Sequence, residues 1–325
     1  MKKNTTAIIN FTIIIILIFF TAQILLTSDK VMSAVEFSFS IWKSSIFPSL
    51  FPFFIVSEIL TNYGFVELIS ELFKPIMYKV FKVSGVCAYV FIMSLISGFP
   101  SSAKYVSELY KNGLIDEKEG TKILMFTHFS NPLFILGTIS LTFLNNKEVG
   151  FLILTVHYLT NVIIGLIIRN LFPSKNENNN FSFNSILKII NKKQKSFGET
   201  LSNAIKDTIN TLLLILGTVT IFLIVTTIID NIINITPYYQ AILNGTIEMT
   251  QGLKYISILD LPLKIKTIIS TMFISFGGIS VHMQVVSILS DTKIKYFPYL
   301  VARVIHALIA GLLIFLTFDL WLNIF

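Results

Sequence analysis

The chain has 325 residues, of which 54% are hydrophobic and only 13% charged, with a mean hydropathy of +0.76. Soluble chains carry about a quarter charged residues, and here long uncharged stretches alternate with short charged ones, which excludes a large soluble globular protein. The single cysteine, Cys87, excludes an internal disulfide and a cysteine-cluster metal site. The formal net charge of +7 reads as the lysine bias of cytoplasmic membrane loops, not as a nucleic-acid surface.

Met1-Lys2-Lys3 precedes an apolar run at 4–28. Its core is longer than the hydrophobic region of a secretory signal, and no small-x-small cleavage site stands before Asp29. A retained first helix with its amino terminus in the cytoplasm is expected. About 20 apolar residues cross the hydrocarbon core, and the uncharged stretches 83–103, 123–146, 149–168, 208–229 and 267–290 meet that length. Three further segments are expected as spans or half-spans: 37–63, interrupted by Lys43 and Glu58; 232–255, which holds Glu248; and 299–325, which holds Arg303 and Asp319. Between them, 66–82 spaces Glu67, Glu71, Lys74, Lys79 and Lys82 among apolar residues, the pattern of a helix lying at the interface.

The expected architecture is an all-α, polytopic transmembrane bundle in four parts. These are a first transmembrane helix (1–29), a first half of the membrane domain (30–170), a Lys/Asn-rich cytoplasmic linker (171–197) and a second half (198–325). Lys175, Lys192, Lys193 and Lys195 place the linker inside by the positive-inside rule.

Several apolar stretches are punctured in their middles. One ends in Ser97-Gly98-Phe99-Pro100-Ser101-Ser102-Ala103-Lys104, a second contains His128-Phe129-Ser130-Asn131-Pro132, and a third contains Ser275-Phe276-Gly277-Gly278-Ile279-Ser280, followed by His282 and Gln284. Proline removes a backbone donor and pushes the residue before it out of the helical region, and glycine permits non-helical geometry. Irregular backbone at membrane depth is tolerated only inside protein or beside a polar cavity. These punctures are therefore expected to form re-entrant hairpins or discontinuous helices, whose half-helix amino termini point N–H groups at a ligand. Ser101, Ser102, Ser130, Asn131, Ser280 and Gln284 would complete a hydrogen-bonding pocket.

The order of features repeats across the linker. In the first half a long span leads to the Gly98 break, then the Asn131-Pro132 break, then the span 149–168. In the second, 208–229 leads to Glu248-Met249-Thr250-Gln251-Gly252, then the Gly277-Gly278 break, then a final span. Corresponding breaks in two halves are the mark of secondary transporters built on structural repeats, with the site at the repeat interface.

Ionisable residues at membrane depth face the protein interior or an aqueous path. Glu58, Glu248 and Lys104 are the candidates for charge pairing or ion coupling, and Glu248 leads because Thr250, Gln251 and Gly252 surround it in a neutral segment. His128, His157, His282 and His306 fall in four segments with no ligand spacing, so no metal site is expected; His282, beside the glycine pair, is a candidate to line the pocket. No phosphate-binding G-x-x-x-x-G-K-[ST], H-E-x-x-H or G-x-S-x-G motif occurs, and no enzymatic activity or cofactor is expected.

At these motifs the chain resembles the sporulation integral membrane protein family YlbJ of endospore-forming Firmicutes. The matching pieces are Phe47-Pro48-Ser49-Leu50-Phe51-Pro52-Phe53-Phe54, Ser97 through Lys104, Ser130-Asn131-Pro132-Leu133-Phe134, and Ser275 through Gln284, in the same order over about residues 40–290. Ser102 stands where that family often has a second glycine. The family is grouped with nucleoside-recognition gate proteins, similar in layout to concentrative nucleoside transporters. The resemblance therefore implies a protein of the cytoplasmic membrane, in the forespore or the mother cell, that is needed for spore formation and moves a small solute.

Two readings follow. In the first the chain is a secondary transporter or permease for a small polar solute, nucleoside-like or other, with coupling to H+ or Na+ open. Its site would draw on Gly98, Pro100, Ser101, Ser102, Ser130, Asn131, Glu248, Gln251, Gly252, Ser275, Gly277, Gly278, Ser280 and Gln284. In the second it is a non-transporting component of a sporulation membrane assembly, with its breaks shaping a surface for other membrane proteins or for a second copy of itself. In both, its partner is the lipid bilayer.

Overall fold

A computed structural model describes residues 2–172 and 196–324, so most of the linker expected at 171–197 lies outside the described residues. The described chain is all α-helical. Helix α1 (Lys2–Leu26) leaves Ile8, Phe11, Ile16 and Ile18 more than half exposed. A helix apolar all round and uncovered by protein is one whose solvent is hydrocarbon.

Helix α2 (Ser28–Ile41), a π-helical turn at Trp42–Ile46, and α3 (Phe47–Asn62) form one continuous rod. It packs against α9 (Phe197–Ile232). Lys30 Nζ donates to Asn231 Oδ1 at 2.5 Å, Ser38 Oγ meets Thr220 Oγ1 at 2.7 Å, and Trp42 Nε1 donates to Leu212 O at 3.0 Å. The rising and falling numbers make the two rods antiparallel. The segment expected at the interface is helical, as α4 (Phe65–Ile76) and a π-helical continuation Met77–Phe81, and buries Val66, Ile69, Met77 and Phe81.

The stretch expected as one span at 83–103 is instead two short helices, α5 (Cys87–Ser97) and α6 (Ser101–Lys111). The chain reverses at Gly98-Phe99-Pro100, where Gly98 has φ +79° and the Phe99–Pro100 peptide is cis. Ser97 Oγ reaches Ser101 Oγ at 2.9 Å and Tyr105 Oη at 3.1 Å, which ties the two arms together. Helix α7 (Glu117–Phe126) is capped by Asp116, whose Oδ1 accepts the Glu119 N–H at 2.8 Å. Non-helical backbone follows through Asn131, then a π-helical segment Phe134–Phe143 and α8 (Lys147–Ile167).

The expected span at 232–255 is the pair α10 (Pro237–Ile247) and α11 (Met249–Ile258), parted at Glu248. The arms meet through glycines: a Cβ on Gly252 would stand 2.2 Å from Gly245 Cα, and the Phe273 ring closes over both. Helix α12 (Leu263–Phe276) stops at Gly277, φ +93°, and α13 (Gly278–Leu289) starts there. Helix α14 (Tyr296–Ile324) is the last described element.

Contacts between distant segments define two ends. At one, Lys295 pairs with Glu117 (3.4 Å), Lys111 with Asp291 (3.6 Å), and Lys122 Nζ donates to Arg169 O (2.7 Å). At the other, Lys264 pairs with Asp319 (2.6 Å), Trp321 Nε1 donates to Glu148 O (3.1 Å), and Lys30 meets Asn231. Among the described residues six helical stretches are long and apolar enough to cross a membrane: Ala7–Leu26, Ser28–Asn62, Lys147–Asn170, Phe197–Ile232, Leu263–Leu289 and Tyr296–Ile324.

Candidate functional site

All the interruptions converge between the two ends. The tip of the α5–α6 pair packs on the break after α7: a Cβ on Gly98 would stand 2.5 Å from Asn131 N. The tip of the α10–α11 pair packs on the break between α12 and α13: a Cβ on Gly278 would lie 3.1 Å from Met249 N and 3.2 Å from Ile247 O. Both closures use glycine because backbone meets backbone without room for a side chain.

The exposed polar backbone of the first break is satisfied from outside. Helix α8 presents His157, Tyr158 and Asn161 on one face. His157 Nε2 accepts the Ser130 N–H at 2.9 Å, Tyr158 Oη shares its one proton between Leu95 O at 2.6 Å and Ser130 O at 3.0 Å, and Asn161 Nδ2 donates to His128 O at 2.8 Å. Asn131 does two jobs at once. Its Oδ1 caps the following helix by accepting from Leu133 N (2.8 Å), while its Nδ2 donates to Ser49 O (3.1 Å) and Ile96 O (3.0 Å). Buried backbone groups without water must find such partners.

Glu248 stands where α10 gives way to α11. It is fully buried, and its Oε2 accepts from Thr250 N (2.8 Å), Gln251 N (3.0 Å) and the Thr250 hydroxyl, capping α11. Its Oε1 meets only Ser280 Oγ, at 3.4 Å. Among the described residues no lysine, arginine or histidine forms an ion pair with it. An N-cap carboxylate is favoured by the helix dipole, but a second oxygen this thinly held leaves acceptor capacity facing the cavity.

That cavity lies where the tips meet. Ser130, Asn131, Glu248 and Gln284 supply its main polar lining, with Ser49 and Thr250, and Ile215 and Val219 of α9 form an apolar wall. About 50 Å³ is open to the centres of water-sized molecules, room for a few waters. Ser130 Oγ is buried and has no hydrogen-bond partner among the described residues.

The other residues singled out from sequence stand around this centre or away from it. Gly98, Pro100, Gly277 and Gly278 form the turns. Ser101 Oγ donates to Gly98 O within its own turn, and Ser102 Oγ beside it is buried with no partner among the described residues. Gln251 sends only its N–H to Glu248; its side chain turns away, accepting from Thr226 Oγ1 at 2.6 Å and donating to Tyr255 Oη at 3.2 Å. Gly252 is a packing contact. Glu58 and Lys104 pair with each other at 3.0 Å, joining α3 to α6 outside the cavity, and Glu108 adds a second carboxylate at 3.7 Å from Lys104.

His282 does not line the cavity. Its ring meets Tyr296 Oη (2.9 Å) and donates to Phe276 O (3.1 Å). Four histidines scattered in sequence are gathered by the fold around α14. Tyr299 Oη meets His128 Nδ1 at 2.7 Å, and the rings of His157 and His306 stack with centroids 4.7 Å apart. Arg303 is fully buried; its guanidinium donates to Asn161 Oδ1 (3.2 Å), His306 Nδ1 (2.6 Å) and Met125 O. Met125 lies in the last turn of α7, so Arg303 places a cation at the negative end of a helix that stops inside the protein. Read from sequence, Arg303 was only a blemish in an apolar run, and Ser49 and Thr250 carried no distinguishing signal beyond their neighbours.

The fold and this centre define a polytopic α-helical membrane protein in which interrupted helices line a small, largely apolar cavity that carries a few polar groups. Over 345 aligned positions the chain is 30% identical to the sporulation integral membrane protein YlbJ of Bacillus subtilis (strain 168), an alignment covering 97% of this chain and 83% of that protein. The chain belongs to the YlbJ family of sporulation integral membrane proteins. No protein-family model matches the chain, and no solved structure matches it.

Proposed function

We propose that this protein is a secondary transporter or permease that moves a small polar solute across a membrane of the sporulating cell and performs no chemistry on it. The observation that carries the reading is the cavity itself, lined by broken segments from both halves of the chain and holding a buried carboxylate, Glu248, that no cationic side chain neutralises among the described residues. Transporters built on repeats bind their solute at such a junction, with half-helix amino termini and unwound backbone around it.

In this reading α5–α6 and α10–α11 are re-entrant hairpins that enter from opposite faces, and the two halves form an inverted repeat. The two ends of the molecule support it. The outer ends of α5 and α6 lie with Lys111 and Asp291 at one end, and those of α10 and α11 lie with Asn231 and Tyr255 at the other. Lys82, Lys111, Lys118, Lys122, Arg169, Lys293 and Lys295 cluster at the first end, which is assigned to the cytoplasm by the positive-inside rule, together with the amino terminus.

The cavity in this state holds a few waters and no more, so solute binding requires the tips to part. Ser130, Asn131, Gln284 and Glu248 would then hydrogen-bond the solute, and Glu248 is the group able to carry a coupling proton or to ligate Na+. The test is uptake into proteoliposomes across a radiolabelled panel of nucleosides, bases, amino acids and small acids, wild type beside Glu248→Gln. Saturable uptake of one class, lost in the variant, is expected. Uptake unchanged by Glu248→Gln would remove the carboxylate from the mechanism, and well-folded protein that moves nothing in a broadened panel would turn the reading toward an assembly partner.

A further inference from the structure

A second, larger cavity runs between the α2–α3 rod and the π-helical segment Phe134–Phe143. It leaves about 560 Å³ open to water-sized centres, more than ten times the central cavity. Its lining is more apolar than polar, with Ile41, Pro48 and Leu133 among its walls, and its polar groups are six hydroxyls with no charge: Ser40, Ser44, Ser45 and Ser49 on one wall, Thr138 and Thr142 on the other. Both walls descend from the same end of the molecule. Phe37 and Phe143 stand at the top, and Ser49 and Leu133 at the bottom. Twelve residues from Phe37 to Ser49 at 1.5 Å each give a length of about 18 Å, roughly half the thickness of a bilayer's hydrocarbon core.

Ser49 is shared with the central cavity, and Phe37 with a third cavity at the Lys30–Asn231 end. The walls are tied by Thr138 Oγ1 donating to Ser45 Oγ at 2.9 Å. At this height both walls are π-helical, a geometry that recurs at functional sites because it turns side chains out of the ordinary helical register. Ser40 and Ser44 are exposed.

The geometry points to this hydroxyl-lined groove as the water-filled route by which solute travels between the Lys30–Asn231 end and the central cavity. The inference rests on the transport reading and adds the path to it. Hydroxyls without charge suit a conduit, since none holds a polar solute tightly enough to stop it. The competing occupant is a lipid acyl chain, because several of these hydroxyls also bond their own helix: Ser44 Oγ to Ser40 O at 2.7 Å, and Ser49 Oγ to Ile46 O at 3.1 Å.

Thiol accessibility separates the two without knowledge of the solute. Cys87 is the only cysteine and is buried, so Cys87→Ala supplies a silent background. Ser44→Cys, Ser45→Cys and Thr138→Cys are placed in it singly, with Leu141→Cys, an exposed apolar position on the outer side of the same segment, as the lipid-facing control. In proteoliposomes, a membrane-impermeant charged methanethiosulfonate is expected to modify the groove cysteines at least about tenfold faster than Leu141→Cys, since the reactive thiolate forms only where water reaches it. Permeant N-ethylmaleimide, read on the same samples, shows which thiols are present and folded into place. Groove cysteines that react with the charged reagent no faster than Leu141→Cys overturn the inference and make the groove a lipid-facing cleft. Labelled cysteines without uptake would show the water path standing while the transport reading fails; uptake without labelling would show the reverse.

Discussion

His157 Nε2 accepts the Ser130 N–H at 2.9 Å, and the opposite ring nitrogen meets Ser275 Oγ at 3.1 Å. Since a backbone amide can only donate, Nε2 is the bare nitrogen and Nδ1 carries the proton to Ser275. One imidazole thus joins the break of the first half to the last turn before the break of the second. His157→Ala would orphan the Ser130 amide in a place water does not reach, costing about 1–3 kcal/mol. A lower thermal midpoint in detergent is expected, with a smaller loss in Ser275→Ala, whose partner keeps its other bond.

Glu248 has a capping role separable from its charge. Glu248→Gln retains an oxygen for the Thr250 and Gln251 amides, so folding is expected to be little changed. Glu248→Ala removes the cap and should lower stability by about 0.5–2 kcal/mol. Thermal scans of the two variants beside wild type check the order; equal losses would mean that the charge, not the cap, holds α11 in place.

Glycine contacts set the approach of the breaks. Gly252→Ala would drive a Cβ to 2.2 Å from Gly245 Cα, backbone against backbone, and Gly98→Ala would combine a 2.5 Å contact with φ +79°. Both are expected to sharply reduce the yield of monodisperse protein in size-exclusion chromatography. Gly217, within α9 and facing open space, is the control; Gly217→Ala is expected to be neutral or to gain up to about 1 kcal/mol from helix propensity.

Arg303 is expected to resist conservative replacement. Its planar fork reaches Asn161, His306 and the Met125 carbonyl together, and a lysine ammonium cannot span them. Arg303→Lys and Arg303→Met should both lower the thermal midpoint, each leaving at least one buried acceptor unpaired at about 1–3 kcal/mol. A fully stable lysine variant would show that only the charge at the end of α7 matters.

The Glu58–Lys104 pair is only partly exposed, 19% and 16%, and joins the rod to α6. A double-mutant cycle on Glu58→Gln and Lys104→Met is expected to give a coupling near the top of the range for exposed pairs, about 1 kcal/mol, read from denaturation midpoints. No coupling would mean that Glu108, 3.7 Å from Lys104, takes over when Glu58 is neutralised.

Much of this molecule was legible in one dimension. Long uncharged runs favour membrane-length helices, because a chain in hydrocarbon must satisfy its own backbone; the run at 208–229 falls wholly within α9, and those at 4–28 and 149–168 match α1 and α8 except at their ends. Pro100, Gly98, Asn131-Pro132 and Gly277 marked real interruptions, because proline and glycine act on their own turn and need no distant partner. The interruption at Glu248 was visible only as a charge, since nothing in Ile247-Glu248-Met249 forbids a helix; the reversal there depends on the Gly245–Gly252 contact and the Phe273 ring.

What tertiary structure alone decided is which residues meet. Ser130, Asn131, Glu248 and Gln284 share a cavity although more than a hundred positions separate the first pair from the second, whereas Gln251, three residues from Glu248, sends its side chain elsewhere. The histidines had no spacing to connect them, and α14 assembled them around a buried arginine. Local chemistry is written in neighbouring residues, so the solvent, the long helices and the breaks at proline and glycine follow from the chain alone. The site is made of contacts between segments far apart in the chain, and those exist only once the helices have packed.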